Sequence, residues 1–219
     1  MTAAPPPEPA DPFVGGSGAY YHAYLLWNTA AHACSEFEQH KQTAQALSAV
    51  LFSCASVEAF FNELTAQAGQ RQDEDAGKAL SGALEEVEEA RGSARLKFLI
   101  TILLLTGEPA DKGTQPYQDL AVLFRVRDEI VHSKPHRHKF TPDGIEAEPK
   151  KLLGTLHGMH LIEDPTQPPA RSLFSAISTV ALCKWAVETA RAVMRYVVER
   201  IPDGTLSKLV RTAALGEAP

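Results

Sequence analysis

The stretch "TAQALSAVLFSCASVEAFFNELTAQA", Thr43–Ala68, decides the fold class. Leu47, Val50, Leu51, Cys54, Val57, Phe61 and Leu64 recur at steps of three and four, the period that puts apolar side chains on one face of an α-helix. No proline interrupts it. Glu58 and Asn62 stand four apart and share a polar stripe on the same helix. Without further context that stripe reads as solvated or internally paired.

The flanking segments repeat the helical pattern. Upstream, "YYHAYLLWNTAAHACSEFEQH" (Tyr20–His40) is separated from the first helix by only a brief polar stretch, so the two form an antiparallel hairpin or one interrupted rod. Downstream, "GQRQDEDAGK" reads as a charged loop, and "ALSGALEEVEEARG" as an exposed helix ending at Gly92, its acidic run a solvated face. Ser93 is a candidate cap for a helix carrying Leu96, Leu99, Ile100 and Leu103 and stopping near Gly107. "YQDLAVLFRVRDEIVH" is the next helix, with Leu120, Leu123, Phe124 and Val131 on one side. Pro135 disfavours helical geometry at Lys134, which ends that helix near Ser133. Residues 134–148 read as a basic loop with a small hairpin around "PDG". A long C-terminal helix is expected from about Ala170 to Arg200. Together these predict an all-α bundle of four to six helices. The expected organisation is a Pro- and Gly-rich disordered tail over 1–18, one domain over 19–202, and a flexible tail over 203–219.

Composition narrows the function classes. The 219 residues are 44% hydrophobic and 22% charged, ordinary for a soluble globular chain. With 21 basic and 27 acidic residues the formal net charge is −6, which argues against whole-surface attraction to nucleic acid or anionic membrane. Cys34, Cys54 and Cys183 form no CxxC pair, so neither a disulfide framework nor a zinc knuckle is indicated. The N-terminus has neither a basic region nor an apolar core of signal-peptide type. The run "FLITILLLTG" is about ten residues, against the roughly 20 of a membrane span. A cytoplasmic protein without a membrane partner is the expectation. There is no Gly-rich phosphate loop, nucleophile elbow or zinc-protease helix. No cofactor and no metal are expected. His132, His136 and His138 lack a joining Cys or carboxylate cluster, and Pro135 breaks their helical spacing.

Against that acidic background, "LFRVRDEIVHSKPHRHK" (Leu123–Lys139) gathers five basic residues and three histidines. Arg127 is suited to phosphate, because its planar fork donates two parallel hydrogen bonds and stays charged. His132 is the residue type that moves protons near neutral pH. Five residues apart on a helix, the two point about 140° apart, so one chain does not easily converge them on one small group. A second copy packed about a two-fold axis would line one cleft with both pairs. Asp128 and His132 are four apart, which lets the carboxylate orient the imidazole. The bland reading of the same residues is an exposed helix end with surface ion pairs and a histidine on the helix dipole.

Arg127 and His132 with four residues between them, at the end of a helix preceded by "YQDLAVLF", resemble the signature of the HEPN superfamily (higher eukaryotes and prokaryotes nucleotide-binding). The family has a polar residue after the Arg, most often Asn; here it is Asp128. The upstream "SVEAFFNEL" is similar to the second long helix of HEPN proteins related to abortive infection. The resemblance spans roughly Tyr20 to His138. It implies an all-α two-fold dimer and, in many members, a metal-independent endoribonuclease in a toxin or antiphage role, with RNA as substrate and an antitoxin or regulatory protein as a further partner. Arg127 and His132 would then be catalytic and Asp128 an orienting residue, with Glu58 and Asn62 facing the cleft. Arg125, Lys134, His136, Arg137 and Lys139 would grip the RNA backbone. A HEPN-fold module that binds nucleotide, RNA or protein without cleaving is the alternative, and a purely structural helical dimer is a third reading.

Overall fold

The computed structural model describes residues 22–70, 75–133, 139–141, 144–146, 149–167, 172–204, 208, 210–211 and 214–216. These residues form an all-α fold with one small β-hairpin at its edge. Six helices are long: α1 (Ala23–His40), α2 (Thr43–Gly69), α3 (Asp75–Glu89), α4 (Ala94–Thr106), α5 (Tyr117–Val131) and α8 (Val180–Val198). Two are short: α6 (Lys150–Gly158) and α7 (Leu173–Ile177). The total among the described residues is therefore eight against the expected four to six, the two short helices making the difference.

α1 and α2 form the hairpin, not a rod. Lys41 takes a left-handed conformation (φ 53°) that turns the chain, and its N–H closes onto the Phe37 carbonyl. The start of α1 then lies beside the far end of α2, where the Glu63 carboxylate accepts the N–H groups of His22 and Ala23. At the other end Ala30, Ala33, Cys34 and Phe37 pack on Ala46 and Ala49. Small side chains at that contact allow the two axes to approach closely.

α2 is the central element. Its 27 residues span about 40 Å, and Val50, Cys54, Val57, Phe60, Phe61 and Leu64 are all buried against other helices. By length and composition α2 could cross a membrane, yet half of its most apolar window is buried inside the fold. That profile is compatible with the core helix of a soluble protein. α8 packs alongside it with Leu182, Ala186, Ala190, Val193, Met194 and Val197.

Several expectations are corrected. α3 is not simply exposed: Leu80 and Leu84 are fully buried, and only its glutamate side is wet. α4 keeps its predicted ends, the Ser93 hydroxyl accepting Leu96 N–H at 3.3 Å and Gly107 (φ 75°) closing it. However, it turns Phe98, Thr101 and Ile102 inward and leaves Leu96 and Leu103 outside. The helix is apolar nearly all round, so periodicity cannot choose the face. The C-terminal helix breaks at Ser178–Thr179, where the Thr179 hydroxyl accepts Leu182 N–H at 3.0 Å and donates to the Leu161 carbonyl. On α5, Val131 is 55% exposed and does not join Leu120, Leu123 and Phe124 in the core.

The segment expected as a flexible tail from 203 contributes Val210, Ala214 and Leu215 to the core, which corrects that expectation for those residues. The hairpin around "PDG" pairs β1 (Lys139–Thr141) with β2 (Gly144–Glu146), antiparallel, with Lys139 opposite Glu146. The tail over 1–18 lies outside the described residues.

Candidate functional site

Helix register brings the candidate residues together. The Cys54 thiol lies 3.8 Å from the Leu123 carbonyl, an offset of 69 positions between α2 and α5. One turn further along both helices the same offset places Glu58 beside Arg127. Leu123 and Phe124 anchor α5 in the core, so Arg127 has little freedom to leave.

Arg127 donates from Nη2 to Glu58 and from Nη1 to Asp128 Oδ1 at 2.9 Å. Its Cζ lies 5.4 Å from the centre of the Phe124 ring, within cation–π range. Burial works against the guanidinium charge, but Glu58 and Asp128 outweigh it and hold the group above its ordinary value. Arg127 is thus fully charged, 27% exposed, and aimed by two carboxylates that are themselves 43% and 50% exposed. Burial pushes the neighbouring Cys54 thiol up, so it stays a neutral packing group and is no nucleophile.

The second half of the site is built on Lys97. Its side chain is only 6% exposed, an unusual burial for lysine. Its ammonium donates to Asn62 Oδ1 at 2.7 Å and to Glu88. Asn62 lies one turn beyond Glu58 on α2, so the stripe read from the sequence faces two cations on two different helices. The turn between α3 and α4 closes the third side. Together these walls enclose a cleft of about 440 Å³, lined chiefly by Glu58, Asn62, Glu88, Arg91, Arg95, Lys97, Arg127 and Asp128. That size is in the range of small-ligand sites, although the lining here is far more polar than is usual.

Arg127, Asp128, Glu58 and Asn62 are therefore gathered in one place. His132 is not among the cleft-lining residues. It is exposed at the C-cap of α5, and its own N–H bonds the Asp128 carbonyl at 2.9 Å. Among the described contacts the Asp128 carboxylate pairs with Arg127, and none joins it to the His132 imidazole. Arg125 is exposed on α5 and does not line the cleft. Lys134, His136 and Arg137 lie outside the described residues, and of Lys139 only the backbone, in β1, is described. Among the described residues no cluster of three or more His, Cys, Asp or Glu side chains could hold a metal ion.

Sequence reading missed Glu88, Arg91, Arg95 and Lys97. The available signal was "ARGSARLK", in which three cations flank a capping serine between two helices. No protein-family model matches the chain, and neither does any curated protein or any solved structure.

Proposed function

We propose that this protein is a cytoplasmic, metal-independent endoribonuclease of the HEPN type, in a toxin or antiphage role, whose site is completed by a second copy of the chain. One observation carries the reading: Arg127 is held charged on the wall of a polar cleft by Glu58 and Asp128, while His132 stands exposed at the end of the same helix. A charged fork fixed in place is what a phosphoryl transition state requires, since preorganised donors need no reorganisation as charge develops. The exposed His132 is accessible to a partner's cleft.

The chemistry is a transesterification. A base removes the proton of a ribose 2′-OH, the 2′-oxygen attacks the adjacent phosphorus, and the bond to the 5′-oxygen breaks as that oxygen takes up a proton. The products are a 2′,3′-cyclic phosphate and a free 5′-OH, with no net redox change. His132 moves protons and Arg127 bears on the phosphoryl oxygens.

A second reading is favoured by the same fork's occupancy. Arg127 already serves two carboxylates, and a module that binds RNA or nucleotide without cleaving it needs nothing from His132. The test is RNA cleavage in EDTA by wild type and His132→Ala, with the product ends analysed. Cyclic-phosphate ends from wild type and a rate lower by ~10²–10⁴ in the variant are expected. Salt-dependent RNA binding without cleavage by either would establish the binding module instead. Equal cleavage by both would remove His132 from the mechanism.

A further inference from the structure

The cleft lining carries four cations (Arg91, Arg95, Lys97 and Arg127) and three carboxylates (Glu58, Glu88 and Asp128). The carboxylates are all committed: Glu88 to Lys97, and Glu58 and Asp128 to Arg127. Arg91 and Arg95 remain, and among the described residues neither guanidinium has a hydrogen-bond or ion-pair partner. Two guanidinium groups without a direct partner line one wall of the cleft, whose lining carries one more cation than carboxylate in a chain of net charge −6.

The backbone supports the same conclusion. α3 ends in a tight turn, with Gly92 N–H on the Val87 carbonyl at 2.7 Å and Arg91 N–H on the Glu88 carbonyl at 2.9 Å. The left-handed residue of that turn is Arg91 (φ 54°), a place where glycine is usual, although a glycine stands next to it in sequence. A Cβ at position 92 would lie 2.9 Å from the Val87 carbonyl oxygen and closer still to the Val87 side chain. The turn thus fixes the Arg91 backbone beside the cleft that its side chain lines.

We propose that Arg91 and Arg95 form a phosphate subsite that takes a backbone phosphate of the RNA flanking the one at Arg127. The inference rests on the reading of the protein as RNA-handling, and it names where the strand runs: across the α3–α4 turn and into the cleft. Paired guanidinium forks suit this ligand because each presents parallel donors to phosphate oxygens.

The test is binding of a fluorescein-labelled single-stranded RNA, followed by anisotropy across a salt series, in a His132→Ala background so that the strand stays intact. Arg91→Gln/Arg95→Gln should lower the slope of log K against log [salt] by about 0.7, the contribution of the one single-strand phosphate that the two forks share. Equivalently, affinity should change about 2.6-fold less between about 50 and 200 mM salt. Arg91→Lys/Arg95→Lys should restore the slope, and Arg195→Gln, away from the cleft, should leave it unchanged. Inorganic phosphate at matched ionic strength should displace RNA from the parent more readily than from the double Gln variant, in which only the phosphate position at Arg127 remains. Circular dichroism confirms that each variant is folded.

An unchanged slope in the double Gln variant overturns the subsite, as does an equal loss in Arg195→Gln or an absence of RNA binding at low salt. Cleavage is read separately with His132 intact. A lost slope without wild-type cleavage keeps the subsite and removes the nuclease. Cleavage with an unchanged slope does the reverse.

Discussion

Removing either end of the Lys97–Glu88 pair should have unequal consequences. The Lys97 side chain is 6% exposed and that of Glu88 63%. Lys97→Met deletes the ammonium and keeps the packed stem, while Glu88 and Asn62, both exposed, return to water. The expected change is within about 0.5 kcal/mol of wild type. Glu88→Ala instead strands a buried ammonium on Asn62 alone. Losing a charged hydrogen bond costs about 1.5–3 kcal/mol. Relief of a carboxylate near the negative end of α3 offsets about 0.3–1 kcal/mol of that, leaving a net loss of about 1.5 kcal/mol. Urea unfolding followed by far-UV circular dichroism reads the difference. With m near 2 kcal/mol/M, Glu88→Ala should lower the midpoint by about 0.7 M at constant m. The double variant should recover to about 0.3–1 kcal/mol above the Lys97→Met value, giving a coupling of about 2 kcal/mol. The reasoning fails if Lys97→Met loses as much as Glu88→Ala, or if the double variant shows no recovery.

Two further outcomes test the frame around the cleft. Burial holds the Glu63 carboxyl above its ordinary value, against the lowering effect of the Ala23 and His22 N–H groups. The folded protein therefore binds that proton more tightly than the unfolded chain, and stability should fall as pH rises from about 4.5 through the folded value. Glu63→Gln keeps an acceptor for the α1 N-terminus and should flatten the urea midpoint against pH over that window; Asp119, also raised by burial, leaves a residual slope of the same sign. An unchanged slope would show that Glu63 is not the group responsible. Gly82 on α3 has open space where a Cβ would go, so Gly82→Ala should raise stability by about 0.5–1 kcal/mol. Gly92→Ala should lower it by about 1–3 kcal/mol, because the new methyl meets Val87. Thermal unfolding that moved both variants the same way would contradict the turn geometry.

Local pattern carried much of the fold. The three-and-four spacing of Thr43–Ala68 identified the core helix, and Ser93 and Gly107 marked the ends of α4, because caps and amphipathic faces are set within one or two turns of chain. The same spacing put Glu58 and Asn62 on one stripe and marked Arg127 as the cation to watch. Pairing was another matter. That Glu58 meets Arg127 depends on α2 and α5 packing at an offset of 69 residues, and no helical period encodes that. Asp128 had two candidate partners, His132 four residues on and Arg127 beside it, and its contact in the fold is with Arg127, which Glu58 positions from α2.

Tertiary structure likewise chose the buried face of α4, broke the last helix at Thr179, and drew Val210 and Leu215 into the core. It also buried Lys97 against Glu88, which left Arg91 and Arg95 without a partner among the described residues. The sequence alone determined where the long helices lie and which residue types could do chemistry, since both follow from the chain's immediate neighbours. Which charges neutralise one another, and which remain for a ligand, was decided only when distant helices packed, because ion pairing acts across space and not along the chain.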